Sequence, residues 1–361
     1  MANSFLKSIE LAFRRSFNRH IGAQRIPIVV SSPQLAIAVE DPVRILVLRQ
    51  DRIGDVLVSV PVIRALRARF PSATIDMVMS PNNITVRDAV DPFINDVIIH
   101  QKGLAGLLRT RRTLRARRYD VVIDLMDNAS STSALLIRAS RARYAVGIDK
   151  ENRGIYTHVV PLADRSSVHI VDRIARLLWP FAIDPASTDL RLAFPLSEED
   201  KERASSIMRA PSSSAKIFGV NISGSDISRM YSEEGIVEII DHCRRTYPTV
   251  EVVVMAASQH LDMQQRIGQR TGCRVIPPTS SFRAWAANIA QLDSFFTPDT
   301  SSVHLASAFN VPSVVLFVHD RADLMPWYPY ASVCFPVETT TGTIAEIPVR
   351  DIIRAVDQLL S

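Results

Sequence analysis

Twice along this chain, short apolar runs alternate with longer amphipathic stretches, and between the two series the alternation stops. In the first series "RILVLRQ", "ATIDMVMS", "YDVVIDLMD" and "RYAVGID" read as strands. Helices are expected over "LVSVPVIRALRARF", the arginine-rich segment before residue 119, "SSTSALLIRAS" and "SVHIVDRIARLLW". In the second, "KIFGVNIS", "VEVVVMAA", "CRVIPP", "SFFTPD" and "SVVLFV" read as strands. They interleave with "EEGIVEIIDHCRRTY", "LDMQQRIGQRT", "FRAWAANIAQL" and "SSVHLASAFN", and "VRDIIRAVDQLL" closes the chain as an amphipathic helix. Strands apolar on both faces and separated by helices belong to parallel sheets, because crossover helices cover each face. The pattern predicts an α/β protein of two doubly wound, Rossmann-like domains, and 361 residues are long for a single core. Residues 1–42 are read as an N-terminal extension and irregular connector, 43–185 as the first domain and 186–215 as a linker with an entry helix. Residues 216–345 make the second domain and 346–361 the last helix. Ligands of such sheets bind beyond the carboxyl ends of the strands, so the expected active cleft lies between two facing domains.

The net charge of +5 is unevenly spread. "RTRRTLRARR", residues 109–118, holds six arginines. As a helix it carries Arg111, Arg115 and Arg118 along one face, with Leu107, Leu108 and Leu114 pointing elsewhere. "SFLKSIELAFRRSFNRHI", residues 4–21, repeats Phe5, Ile9, Phe13 and Phe17 at every fourth position, with Lys7, Arg14, Arg15 and Arg19 off that stripe. Both segments suit an anionic membrane surface, against the plainer readings of a solvated helix face and of docking on the protein body. Nucleic acid is not an expected partner, because no binding motif accompanies the basic residues. No apolar run approaches the ~20 residues of a membrane span, and the N-terminus lacks the apolar core of a signal peptide. Three scattered cysteines, Cys243, Cys273 and Cys334, argue against a disulfide framework or a zinc site and for the cytoplasm.

Three strand-to-helix loops carry the chemistry. In "RQDRIGDVLVSVP", Gly54 loosens the turn and Asp55 stands at or near the start of a helix, as a cap or as a functional carboxylate. Arg49, Asp51 and Arg52 line the same loop. In "FFTPDTSSVHLASAFNVP", Asp299, Thr300, Ser301 and Ser302 open a helix whose unpaired N–H groups and positive end suit a pyrophosphate. Asp299 is placed to bind sugar hydroxyls, and His304 lies one turn further in, facing the strand ends or packed inside. In "NISGSDISRMYSEE", Gly224 loosens the turn and Arg229 offers a cation to a diphosphate leaving group. No GxGxxG fingerprint and no Walker pattern occur.

The order of "RQDRIGDVLVSVP", "SGSDISRMY" and "TPDTSSVHLASAFNVP" resembles the heptosyltransferase family, glycosyltransferase family 9. "DVVIDLMDN", "RYAVGID" and "HIVDR" add to the likeness, which runs from about residue 43 to the end. The resemblance implies a GT-B fold and inverting, metal-independent transfer of a sugar, usually heptose from ADP-heptose, to a lipopolysaccharide core. It implies Asp55 as general base, and donor-phosphate contacts from Asp299, Thr300 and Ser301, where the family's DTG has become DTS. The family's diphosphate-binding lysine falls on Arg229 and its following tryptophan on Tyr231, while His260 falls near its ribose-binding glutamate. Asp51 is the competing base, and Arg49 or Arg52 would orient the acceptor. No cofactor is expected beyond the nucleotide-sugar co-substrate. The expected partners are that donor, an anionic glycolipid or glycan acceptor and the cytoplasmic face of the inner membrane. The rival readings are a GT-B nucleotide-sugar 2-epimerase and a non-catalytic or weakened nucleotide-sugar-binding protein of the same fold.

Overall fold

The computed structural model describes His20 and residues 25–209 and 215–361, so the proposed helix at 4–21 lies outside the described residues apart from His20. The chain divides into two compact units, Met1–Leu190 and Arg191–Ser361.

The first unit is built on a seven-stranded sheet in the order β1-β7-β6-β5-β2-β3-β4, with every pairing parallel. Its strands are β1 (Ile28–Val29), β2 (Arg44–Leu48), β3 (Thr74–Met79), β4 (Asp96–Ile99), β5 (Val121–Asp124), β6 (Tyr144–Ile148) and β7 (His158–Val160). The central strands are apolar on both sides: Ile45, Leu46, Val47 and Leu48 are all fully buried. β1, β4 and β7 were not anticipated. They have two, four and three residues, too few for a period to show. β1 also falls in the stretch read as an irregular connector.

The second unit carries six parallel strands in the order β10-β9-β8-β11-β12-β13. These are β8 (Lys216–Asn221), β9 (Val250–Met255), β10 (Arg274–Val275), β11 (Ser294–Pro298), β12 (Ser313–Val318) and β13 (Cys334–Thr339). β13 carries Pro336, a residue that argues against a central strand, and it sits at the sheet edge where a missing N–H is tolerated. The main core packs helices Glu233–Thr246 and Val349–Leu360 against β8, β9 and β12 through Ile236, Ile239, Ile240, Val254, Leu316 and Ile352.

In each sheet the strand order turns back on itself once. In the first unit β2 leads to β3 and β4 on one side, and β5 leads to β6 and β7 on the other, so the reversal lies between β2 and β5. In the second unit it lies between β8 and β11. Loops leaving adjacent strands at such a reversal part to opposite faces and leave a crevice, which is where open α/β sheets bind ligands. All three chemistry-bearing loops leave the strands that flank these two reversals. Among the described residues no helix is long and apolar enough to cross a membrane.

Candidate functional site

In the first unit β2 runs into the helix α1 (Ile53–Arg69), which begins four residues earlier than the apolar pattern suggests. Arg52 is therefore the N-cap, and Asp55 is the third helical residue instead of the cap. Its carboxylate Oδ2 accepts the Arg52 backbone N–H at 3.2 Å, which satisfies one orphan donor of the helix start. Gly54 is helical, and its φ is not positive. Asp55 keeps 11% of its side-chain surface accessible, enough to meet one ligand group.

Arg49 binds this turn from below. Its Nε–H donates to the Asp55 carbonyl at 2.9 Å, NH1 donates to the Leu125 carbonyl at 2.9 Å, and NH2 stands 3.0 Å from Asp55 Oδ1. Ser59 Oγ donates to the same Asp55 carbonyl at 2.7 Å. Burial opposes the Arg49 charge, but Asp51 and Asp55, with Asp127 and Asp124 beyond them, raise its proton affinity above the ordinary value. The guanidinium is 1% exposed, which corrects its sequence reading as an acceptor-binding group: it holds Asp55 and does not reach outward. Arg52 is exposed and retains that option. Asp51 is half-buried, 3.3 Å from Arg49 NH1, and burial followed by the Asp55 charge pushes it up to about 7 despite the pull of Arg49.

Across the reversal, the end of β5 and the loop after it bring further ion pairs that the sequence reading missed. Asp124, wholly buried, accepts from Tyr156 Oη at 2.7 Å and pairs with Lys150 Nζ at 3.1 Å. Asp127 pairs with Arg173 at 3.0 Å and faces Arg165 at 3.6 Å. Asp124 and Asp127 belong to "DVVIDLMDN", Lys150 directly follows "RYAVGID", and Arg173 ends "HIVDR". The signal available in the sequence was thus charged residues inside or beside otherwise apolar runs.

In the second unit β11 ends in the turn that starts the helix Ser301–Ala308. Thr300 is its N-cap, and its Oγ1 accepts the Ser302 N–H at 3.3 Å. Asp299, Thr300 and Ser301 are half-buried. Ser302 is 4% exposed and its hydroxyl oxygen accepts Trp285 Nε1–H at 3.0 Å, so it braces the turn instead of presenting a hydroxyl. Arg229, from the loop after β8, donates Nε–H to Asp299 Oδ2 at 3.1 Å and sets NH1 3.2 Å from Asp226 Oδ2. The two sequence-predicted loops thus meet through one ion pair, and Arg229 remains partly accessible. Gly224 is required in that loop: a Cβ would lie 1.9 Å from the Arg229 carbonyl oxygen.

His260 is drawn to the same loop, its Nδ1 3.0 Å from Ser223 Oγ, which also accepts the Ala257 N–H. His304 is buried beside Trp327 at 6.1 Å between ring centroids and packs inside. Tyr231 belongs to the core, its hydroxyl bonded to the Ile347 carbonyl at 2.7 Å.

Comparison with known proteins fits this arrangement. The model of glycosyltransferase family 9 (heptosyltransferase) matches residues 107–341. Lipopolysaccharide heptosyltransferase 3 of Escherichia coli K12 is 25% identical over 340 residues, 85% of this chain and 95% of that protein. Among solved structures, a family 9 glycosyl transferase from Veillonella parvula superposes with a TM-score of 0.73 at 21% identity, covering 91% of this chain and 99% of the other. E. coli ADP-heptose lps heptosyltransferase II gives 0.66 at 21% identity, covering 88% and 98%. At those identities the structures speak for the fold alone, whereas the family match spans well over half of the chain. The protein belongs to glycosyltransferase family 9, the heptosyltransferases, and is a glycosyltransferase of two parallel α/β units.

Proposed function

We propose that this enzyme transfers a heptose from ADP-heptose to a lipopolysaccharide core acceptor, with inversion at the anomeric carbon, no essential metal ion and Asp55 as general base. An acceptor hydroxyl attacks the anomeric carbon as the bond to the diphosphate oxygen breaks. The hydroxyl proton passes to Asp55, and the nucleoside diphosphate leaves as an anion. Positioned proton removal of this kind contributes roughly 10²- to 10⁴-fold. The leaving charge is met by Arg229 and by the N–H groups at the start of the helix Ser301–Ala308, with Asp299 oriented between Arg229 and the sugar.

The observation that carries the reading is the treatment of Asp55: a partly accessible carboxylate at the β2–β5 reversal, fixed by Arg49 and by the Arg52 N–H. A residue serving only as a cap has no need of a buried guanidinium bound to its carbonyl and carboxylate together. The name of the E. coli relative, a lipopolysaccharide heptosyltransferase, supports this substrate class. The test is transfer from ADP-heptose to a delipidated core oligosaccharide by Asp55→Asn, with ADP binding measured in parallel. Transfer falls at least about 10²-fold while ADP affinity stays within twofold; a variant that turns over normally sinks the assignment.

We also infer that the enzyme works from the cytoplasm against an anionic membrane surface. The helix α2 (Leu104–Arg117) supports this with a face other than the expected one: Arg118 lies beyond its end and Arg115 is half-buried, whereas Leu104, 69% exposed, and Leu108, 57% exposed, share a face with the exposed Arg111 and Arg112. Of the six arginines, Arg117 is committed inward, pairing with Asp76 at 2.7 Å and Asp96 at 2.5 Å.

A further inference from the structure

The loop after β2 holds two carboxyls, and the reaction described above uses one. Both depend on a single cation. Arg49 sets NH1 3.3 Å from Asp51 Oδ2 and NH2 3.0 Å from Asp55 Oδ1, while its Nε–H and the other hydrogen bond of NH1 go to backbone carbonyls. One buried guanidinium thus faces two acids. Asp51 Oδ1 is buried and meets no hydrogen-bond donor. An ionised oxygen so placed is costly, whereas a protonated carboxyl carries its own O–H and turns it to a neighbouring acceptor. The carboxyl beside it is that of Asp55, held on the same guanidinium.

The other charged groups around Arg49 do not change this count. Asp124 at the end of β5 and Asp127 in the loop after it face Arg49, but Asp124 has Lys150, and Asp127 has Arg173 and Arg165. Arg52, on the same loop as Asp51, is exposed to solvent. The polar residues packed from the β3 side, Ser80 and Asn83, do not titrate near neutrality, and Asn83 Nδ2 donates to the Arg49 carbonyl.

We propose that Asp51 is a positioning residue for the base, sharing one proton with Asp55 under the common clamp of Arg49, so that the charge on Asp51 decides how readily Asp55 takes the acceptor proton. The inference rests on Asp55 being the base. With Asp51 neutral, its O–H and Arg49 both stabilise the Asp55 carboxylate, and an incoming proton must displace them. With Asp51 ionised, the two acids compete for Arg49 and repel each other, and an incoming proton on Asp55 relieves the repulsion. Burial holds Asp51 up to about 7, so this exchange falls within the neutral range. The ionised fraction of such a group rises about tenfold between pH 6 and pH 8.

The experiment has two arms on the full chain. In the first, protein labelled with ¹³C at aspartate carboxyls is titrated by NMR. One resonance titrates near neutrality, disappears in Asp51→Asn, and moves to lower pH in Asp55→Asn, where the neighbouring charge is gone. In the second, kcat is followed with saturating ADP-heptose and delipidated core oligosaccharide. The native enzyme rises by up to about tenfold from pH 6 to pH 8. Asp51→Asn is flat over that range, and Asp51→Glu, which restores a titrating acid, regains the rise. The absence of any near-neutral carboxyl, a rise that persists in Asp51→Asn, or a uniform fall in kcat at every pH overturns the proposal. An active Asp55→Asn would instead overturn the base assignment, and the NMR arm still decides whether the two carboxyls share a proton.

Discussion

Replacing Lys150 by Met isolates one buried charge at the β5 side of the first unit. Asp124 is fully buried, and Lys150, whose side chain is 5% exposed, is the cation paired with it. Lys150 also donates to the Met126 carbonyl and lies 5.5 Å from the Tyr156 ring centroid. Without it, Asp124 keeps the Tyr156 hydroxyl at 2.7 Å and the Met126 N–H at 3.3 Å, two neutral donors for a full charge. Removing one partner of a buried pair costs about 3–5 kcal/mol, and the stranded Met126 carbonyl adds to it, so a loss of about 4 kcal/mol is expected. In a unit of this size that corresponds to a fall in melting temperature of about 8–16 °C. Urea unfolding should show the midpoint falling with little change in slope. The second half of the test is Lys150→Met with Asp124→Asn. Neutralising the stranded carboxylate should recover about 2 kcal/mol, a coupling that only neighbouring groups show. A single variant within about 1 kcal/mol of the native protein, or a double variant no more stable than the single, would refute the reasoning.

Three further outcomes follow from the geometry. Arg229→Ala should weaken ADP binding by about 10- to 100-fold in calorimetric titration, and its stability should change by less than about 1 kcal/mol because the ion pairs of Arg229 are partly solvated; unchanged affinity would remove Arg229 from the donor site. Leu104→Ser combined with Leu108→Ser, or Arg111→Glu combined with Arg112→Glu, should reduce sedimentation with vesicles containing phosphatidylglycerol, and neither pair should alter the melting temperature by more than about 2 °C. Finally, burial lowers the proton affinity of His100 and His158 below the ordinary histidine value near 6.5. The unfolded chain then binds more protons than the folded one, so the stability these residues contribute is present above pH 6.5 and lost as the pH falls below it. Urea midpoints measured from pH 7 to pH 5 should decline, with a shallower slope in His100→Asn.

What could be read in advance was set by length and period. The strands beside each reversal are four to six apolar residues flanked by helices, and β2, β5, β8 and β11 were all located from the sequence. The loops that leave β2, β8 and β11 were therefore found as well. The short strands β1, β4 and β7, and β13 with its Pro336, were lost because they carry little usable period. Side-chain commitments were harder still. Arg49, Tyr231 and Ser302 look like ligand-facing residues beside glycines and helix starts, yet each is turned inward by a partner distant in sequence: Leu125, Ile347 and Trp285. Lys150 and Asp124 lie 26 positions apart, and nothing local announces that a parallel sheet sets them side by side.

The pairing of Ile28 and Val29 with His158 and Val159 means that the segment ahead of β2 is stitched into the first sheet, with Val30 and Ile37 buried behind it. Trimming the protein back to residue 43 would strip a hydrogen-bonded border from β7 and leave its N–H and C=O groups facing water. An unprotected rim of that kind recruits other chains. The shortened enzyme should therefore be sticky and prone to self-association even though every residue of the proposed chemistry is still present.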